Sequence, residues 1–132
     1  MKKHYEVVAA IIQRGEEILC LQRGASKYDY IAYKWEFPGG KVEPGESQAE
    51  ALVREIQEEL ALHIQVDGSF LTVEHEYPNF IITMHGLRCT ALTGELVLHE
   101  HTDFKWLRIN ELMNLDWAAA DVPLVEKLQA QA

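Results

Sequence analysis

Glu55, Glu58 and Glu59 fall within five residues of one another. On a helix advancing about 100° per residue, their side chains project within one sector of roughly 100° and can converge on a single object. Like charges at this spacing oppose helix formation by a few tenths of a kcal/mol per pair, on the order of 0.2–0.5. A hard divalent cation, Mg²⁺ with Mn²⁺ as a possible substitute, prefers oxygen ligands and would turn that repulsion into binding. Taken alone, an acidic run can also be a solvated helix face. The context argues for more, because Phe37-Pro38-Gly39-Gly40 and Pro44-Gly45 lie just upstream. Their turns and backbone freedom let main-chain carbonyls approach a metal or phosphate closely.

The helix that would carry these groups is legible in its own right. Ser47 followed by Glu50 three positions later has the form of a capping box, each side chain satisfying an orphan backbone N–H at the helix start. Ala49, Leu52, Val53, Ile56 and Leu60 form an apolar stripe that must face a core. The three glutamates lie off that stripe.

The rest of the chain supplies a frame. His4 to Gln13 and Glu17 to Gln22 read as strands joined by a turn at Arg14-Gly15-Glu16. A loop over residues 24–34 carries Tyr28, Tyr30 and Tyr33 toward Trp35. Beyond the helix come strands at His63 to Tyr77 and Phe80 to Leu92, a turn at Thr93-Gly94-Glu95, a short strand, and a strand at Phe104 to Ile109. Asn110 is placed to cap a short helix through Leu115, and Pro123 suits the first turn of a terminal amphipathic helix. Strands flanked by one central and one terminal helix imply an α/β chain, an α/β/α sandwich on a mixed sheet. The 132 residues fit one compact domain spanning 1–132.

Composition narrows the function. A net charge of −9 opposes an electrostatic grip on a nucleic-acid backbone, and a polyphosphate would be repelled unless it arrived as a metal complex. No segment approaches the roughly 20 apolar residues of a membrane helix, and no signal-like run is seen, so a cytoplasmic location is expected. Cys20 and Cys89 both sit in apolar strand-like runs, which favours buried reduced thiols over a disulfide.

The segment from Gly40 to Leu62 resembles the Nudix box, G-x5-E-x7-R-E-U-x-E-E-x-G-U with U aliphatic. Gly40, Glu46, Arg54, Glu55, Ile56, Glu58, Glu59 and Leu62 stand at the matching positions, and Ala61 replaces the pattern's second glycine. A left-handed L-residue at a helix end costs about 1–2 kcal/mol, so this departure bears on the helix exit rather than on a metal site. Trp35-Glu36-Phe37-Pro38-Gly39-Gly40-Lys41 and Ala120-Asp121-Val122-Pro123 extend the likeness to MutT-type nucleoside triphosphate pyrophosphohydrolases, nearest the bacterial CTP pyrophosphohydrolase group. The resemblance implies the Nudix fold and Mg²⁺-dependent hydrolysis of a nucleoside triphosphate to monophosphate and pyrophosphate, in the manner of nucleotide-pool sanitising enzymes. CTP, dCTP, 5-substituted cytosine nucleotides and oxidised dGTP are the candidate substrates. Alternatives are a Nudix hydrolase of another nucleoside diphosphate derivative, such as a nucleotide sugar or dinucleoside polyphosphate, or a non-catalytic nucleotide-binding Nudix module. The implied partner is a small nucleotide rather than a nucleic-acid polymer or membrane, with the chain acting as a monomer or homodimer.

Residue by residue, the resemblance places the Gly39 carbonyl with Glu55, Glu58 and Glu59 around metal. Glu46 and Arg54 become their frame, the arginine orienting a carboxylate through its planar fork; the plainer alternative is an exposed ion pair. Glu100, six residues before Trp106, matches an additional metal-directed carboxylate or base of related hydrolases, or is a plain loop acid. His99 and His101 flank it without the helical spacing of a zinc motif and read as solvated loop histidines. Arg23 matches a phosphate-contacting arginine, with a strand-end surface charge as the alternative, and Lys41 belongs with it on the nucleotide side. Tyr28, Tyr30, Tyr33, Trp35 and Phe80 could stack on a base, although each taken singly suits core or surface better. Asp121 could read a base edge, cap the final helix, or do both.

Overall fold

The computed structural model describes residues 2–131. Strands β1 (Lys3–Arg14) and β2 (Glu17–Gln22) form the expected hairpin, turning at Gly15 with a positive φ of 62°. Two short strands follow, β3 (Trp35–Glu36) and β4 (Gly39–Lys41), then helix α1 (Gln48–Leu60), the long strands β5 (His63–Glu76) and β6 (Phe80–Thr93), strand β7 (Asp103–Arg108) and helix α2 (Val122–Gln131). The seven strands make one mixed sheet in which β1 runs parallel to β6 and β5 returns antiparallel to β6.

Both faces of the sheet are covered, which explains the unbroken buried run from Val8 to Ile12. Val8, Ala10 and Ile12 point toward α1 and meet Leu52, Ile56 and Leu60. Ala9 and Ile11 point the other way, toward Leu124, Val125 and Leu128 of α2. The two cysteines fall in opposite layers, Cys20 on the α2 side and Cys89 on the α1 side, so they cannot pair. Burial pushes both thiols up to about 12, leaving them as inert core groups.

The site owes its place to a divergence in this sheet. β1 and β2 pair only beside their turn, at Gln13–Ile18 and Arg14–Glu17. Further along, β4 takes the flank of β1 opposite Val7 to Ala9, while β3 takes the flank of β2 opposite Leu21 and Gln22. The Ala10 N–H donates to the Pro38 carbonyl at 2.7 Å between them. Residues 35–41 therefore line the floor of the split.

Local structure departs from the sequence reading in several places. The buried face of α1 is Ala51, Leu52, Ile56 and Leu60; Ala49 is exposed and Val53 is 37% exposed, because the sheet meets the helix slightly to one side of the stripe. Residues 109–114 form a 3-10 helix preceded by Arg108, without a cap from Asn110. No strand forms between Gly94 and Asp103, where a loop runs instead. The helix exit does carry the strain expected of Ala61, whose φ of 57° is left-handed while its N–H donates to the Gln57 carbonyl at 3.0 Å. Relieving that conformation, Ala61→Gly is expected to stabilise the chain by about 1 kcal/mol, raising Tm by a few degrees in a thermal melt, with an unchanged or lower Tm counting against it.

Candidate active site

At the head of α1, Ser47 Oγ accepts from the Glu50 N–H at 3.1 Å and Glu50 Oε1 accepts from the Ser47 N–H at 2.9 Å, the reciprocal cap the sequence implied. One turn later Arg54 acts as a hub. Its Nε and Nη2 donate to the two oxygens of Glu46 at 2.7 and 3.0 Å, and its Nη1 donates to Glu55 Oε1 at 2.9 Å and Glu58 Oε2 at 3.3 Å. Nη2 also reaches the Lys41 carbonyl at 3.2 Å, tying helix to β4. The hydrogen bonds from Arg54 hold the Glu46 carboxyl below its ordinary value. A two-pronged grip of this kind fixes direction as well as distance, which a flexible ammonium cannot do.

The paired glycines permit the close approach. A Cβ at Gly39 would stand 1.9 Å from the Val8 carbonyl oxygen, and one at Gly40 would stand 2.3 Å from Glu55 Cδ. Main chain and carboxylate are thus in contact where the resemblance puts metal.

Glu59 is the most perturbed acid there. Its Oε2 is buried without a hydrogen-bond partner. Burial, then the charges of Glu55, Glu100 and Glu36, raise it from 4.5 to about 8. Glu59, Glu100, Arg23 and the Gly39–Lys41 strand line a cavity of about 480 Å³. Clustered carboxylates with an orphaned buried oxygen suit a divalent cation, which would relieve both costs at once. Among the described residues, no three acidic, histidine or cysteine side chains are already closed around one ion-sized point. Glu58 does not line this cavity; it is 61% exposed and turned toward Arg54.

A second cavity, about 560 Å³, adjoins the first and shares Arg23, Glu36 and Gly39–Lys41 with it. Its walls are aromatic. Tyr28 stacks on Tyr30 and Tyr30 on Tyr77, each with centroids 5.3 Å apart, and Phe80 packs against Tyr77 at 5.0 Å. Tyr28, Tyr77 and Phe80 line the space, with Lys41 Nζ at its edge, 4.4 Å above the Tyr5 ring. Tyr33 is 57% exposed and Trp35 is packed in the core, and neither lines the cavity. Asp121 is buried there, its Oδ2 accepting from the Phe37 N–H at 2.9 Å rather than capping α2. Burial first, and then the Glu36 charge, push its carboxyl well above the usual aspartate value.

Glu36 and His101 escaped the sequence reading. Glu36 Oε1 accepts from Arg23 Nη1 at 3.2 Å, and Oε2 pairs with His101 Nε2 at 2.8 Å. His101 is no solvated loop residue, since its side chain is only 7% exposed. The available signal was a lone acid between Trp35 and Phe37, since an acid between two core aromatics must be partnered.

Comparisons with known proteins agree with this architecture. The NUDIX domain family model matches residues 2–128. The CTP pyrophosphohydrolase of Escherichia coli K12 is 42% identical over 97% of this chain and 93% of its own length. The 8-oxo-dGTP diphosphatase of the same organism is 34% identical over 98% of each chain. The solution structure of the E. coli ORF135 protein superposes with a TM-score of 0.85 at 42% identity, covering 98% of this chain and 91% of that one. With a glycine-backed acidic cavity beside the last turn of α1, an α/β/α frame and a family match over nearly its whole length, the chain belongs to the Nudix hydrolase family.

Proposed function

We propose that this chain hydrolyses a nucleoside triphosphate of the CTP/dCTP or oxidised-dGTP kind to the monophosphate and pyrophosphate, with Mg²⁺ as its metal and the cytoplasm as its setting. The observation that carries this reading is the pair of contiguous cavities, one acidic and one aromatic, joined by Arg23, Glu36 and Gly39–Lys41. A flat base enters the aromatic one, and the polyphosphate extends over the glycine strand into the other. Among the described residues, no helix is long and apolar enough to cross a membrane.

Glu55, Glu58, Glu59, Glu100 and the Gly39 carbonyl would hold the cation. When bound, it neutralises phosphate charge and lowers the pKa of a coordinated water. Arg23, at the junction, binds and orients the phosphate chain. Glu55, held by Arg54, is the first candidate to take the proton of the attacking water, and Glu100 on its loop is the second. In the other cavity, Asp121 kept protonated donates to a ring nitrogen or carbonyl of the base, and when ionised accepts from an exocyclic amine.

A panel of nucleoside triphosphates and nucleoside diphosphate derivatives, scored by kcat/KM with products identified by phosphorus NMR, tests this. CTP-type or oxidised-guanine substrates are expected to lead by at least about tenfold, the scale of one polar contact in a buried site. Asp121→Ala should erase that preference mainly through KM. A flat panel overturns the assignment, a nucleotide sugar or dinucleotide at the top moves it to another Nudix branch, and Mg²⁺-dependent binding without turnover makes the chain a binding module.

A further inference from the structure

The loop from Gly94 to Thr102 must bring Glu100 to the acidic cavity without regular structure of its own. Backbone hydrogen bonds secure it at two points, Val97 N–H to the Leu60 carbonyl and Thr102 N–H to the Gln22 carbonyl, each 3.0 Å. Between them, His99 and Glu100 are exposed. Leu98 packs against the core on the α1 side, and His101 also turns inward, with its Nε2 on Glu36 Oε2 and its Nδ1 buried without a partner. The two leucines Leu96 and Leu98 already seat the loop on the core, so packing the loop down does not require a buried ring nitrogen to be left unsatisfied, which costs free energy. Departures of this sort accumulate where placement matters more than stability.

Resting on the triphosphate-hydrolase reading above, we propose that His101 is a positioning residue: anchored to Glu36, it sets the loop so that Glu100 faces Glu59. The anchor also joins the two cavities. Glu36 holds His101 through one oxygen and Arg23 through the other, so the group that fixes the loop is the group that orients the phosphate-facing arginine. Thr102, packed beside Gly24 and bonded to the end of β2, keeps the following strand in register while the histidine governs the residue before it.

The test compares kcat, KM and the Mg²⁺ activation curve of the full chain with those of His101→Ala, His101→Gln, Glu100→Gln and the double variant His101→Ala/Glu100→Gln. His101→Ala is expected to lower kcat by roughly 10- to 100-fold, the scale of misplacing a reacting group, while nucleotide KM moves less than about threefold. His101→Gln, whose amide can still donate to Glu36, should recover most of that loss, and it keeps the test valid where the alanine variant does not fold. The double variant should be no slower than Glu100→Gln within about threefold, because residues acting through one group are not additive. Full additivity, a Glu100→Gln enzyme with normal kcat, or a loss confined to KM would each overturn the inference while leaving the hydrolase reading intact. A wild-type chain that turns over no triphosphate overturns the hydrolase reading, and this inference with it.

Discussion

Glu59→Gln should remove activity and add stability in the same protein. Its unpartnered buried oxygen and three acidic neighbours identify Glu59 as the carboxylate whose charge the fold tolerates least. On the proposed reading the cation would lose a central ligand with that charge, and kcat is expected to fall by about 10³-fold, as when one preorganised electrostatic contact is deleted. The same substitution ends the repulsion. An acid raised in the folded state from 4.5 to about 8 favours the fold fully below pH 4.5, and that contribution is lost as pH rises through about 8. Metal-free wild type should therefore lose Tm across this window, and Glu59→Gln should lose less. Mg²⁺ should restore the wild type near pH 8 and leave the variant unmoved, since a ligand stabilises only the state that binds it. Thermal melts across pH with and without Mg²⁺, alongside kcat, check both halves. Parallel melting curves, or kcat within tenfold of wild type, would count against the role given to this carboxylate.

Removing Arg54 has the opposite character, since both activity and stability should fall. The guanidinium is shared among Glu46, Glu55 and Glu58, and it reaches back to the Lys41 carbonyl. Arg54→Ala leaves three carboxylates facing one another and frees Glu55 from its place against Gly40. A loss in kcat of about 10²-fold is expected, the size associated with a reacting group displaced by about an ångström. Arg54→Lys restores a positive charge but cannot span Glu46 and Glu55 together, so it should recover less than about a tenth of the lost rate. Full rescue by lysine would show that charge alone matters at this position and that the fork geometry does not.

The carboxylate-bearing helix was legible in residues close together along the chain. Glu55, Glu58 and Glu59 share a helix sector by backbone periodicity, and the Ser47–Glu50 cap depends on spacing alone. Ala61 was marked by its place at the helix end, and its left-handed φ follows. Errors arose where a neighbour from elsewhere decided the outcome. Ala51 rather than Ala49 is buried because β1 and β5 choose the helix face, and Tyr33 points to solvent although Tyr28, a few residues before it, lines the cavity.

The sequence by itself determined the acidic helix, its cap, the glycine approach and the apolar run that becomes β1. These depend on rules that act over a few residues. Tertiary structure alone decided that Glu36 meets His101, 65 residues away, and that Asp121 meets the Phe37 N–H, 84 residues away. Neither pairing leaves a local pattern, because each exists only where β1 and β2 diverge and let residues 35–41 into the gap.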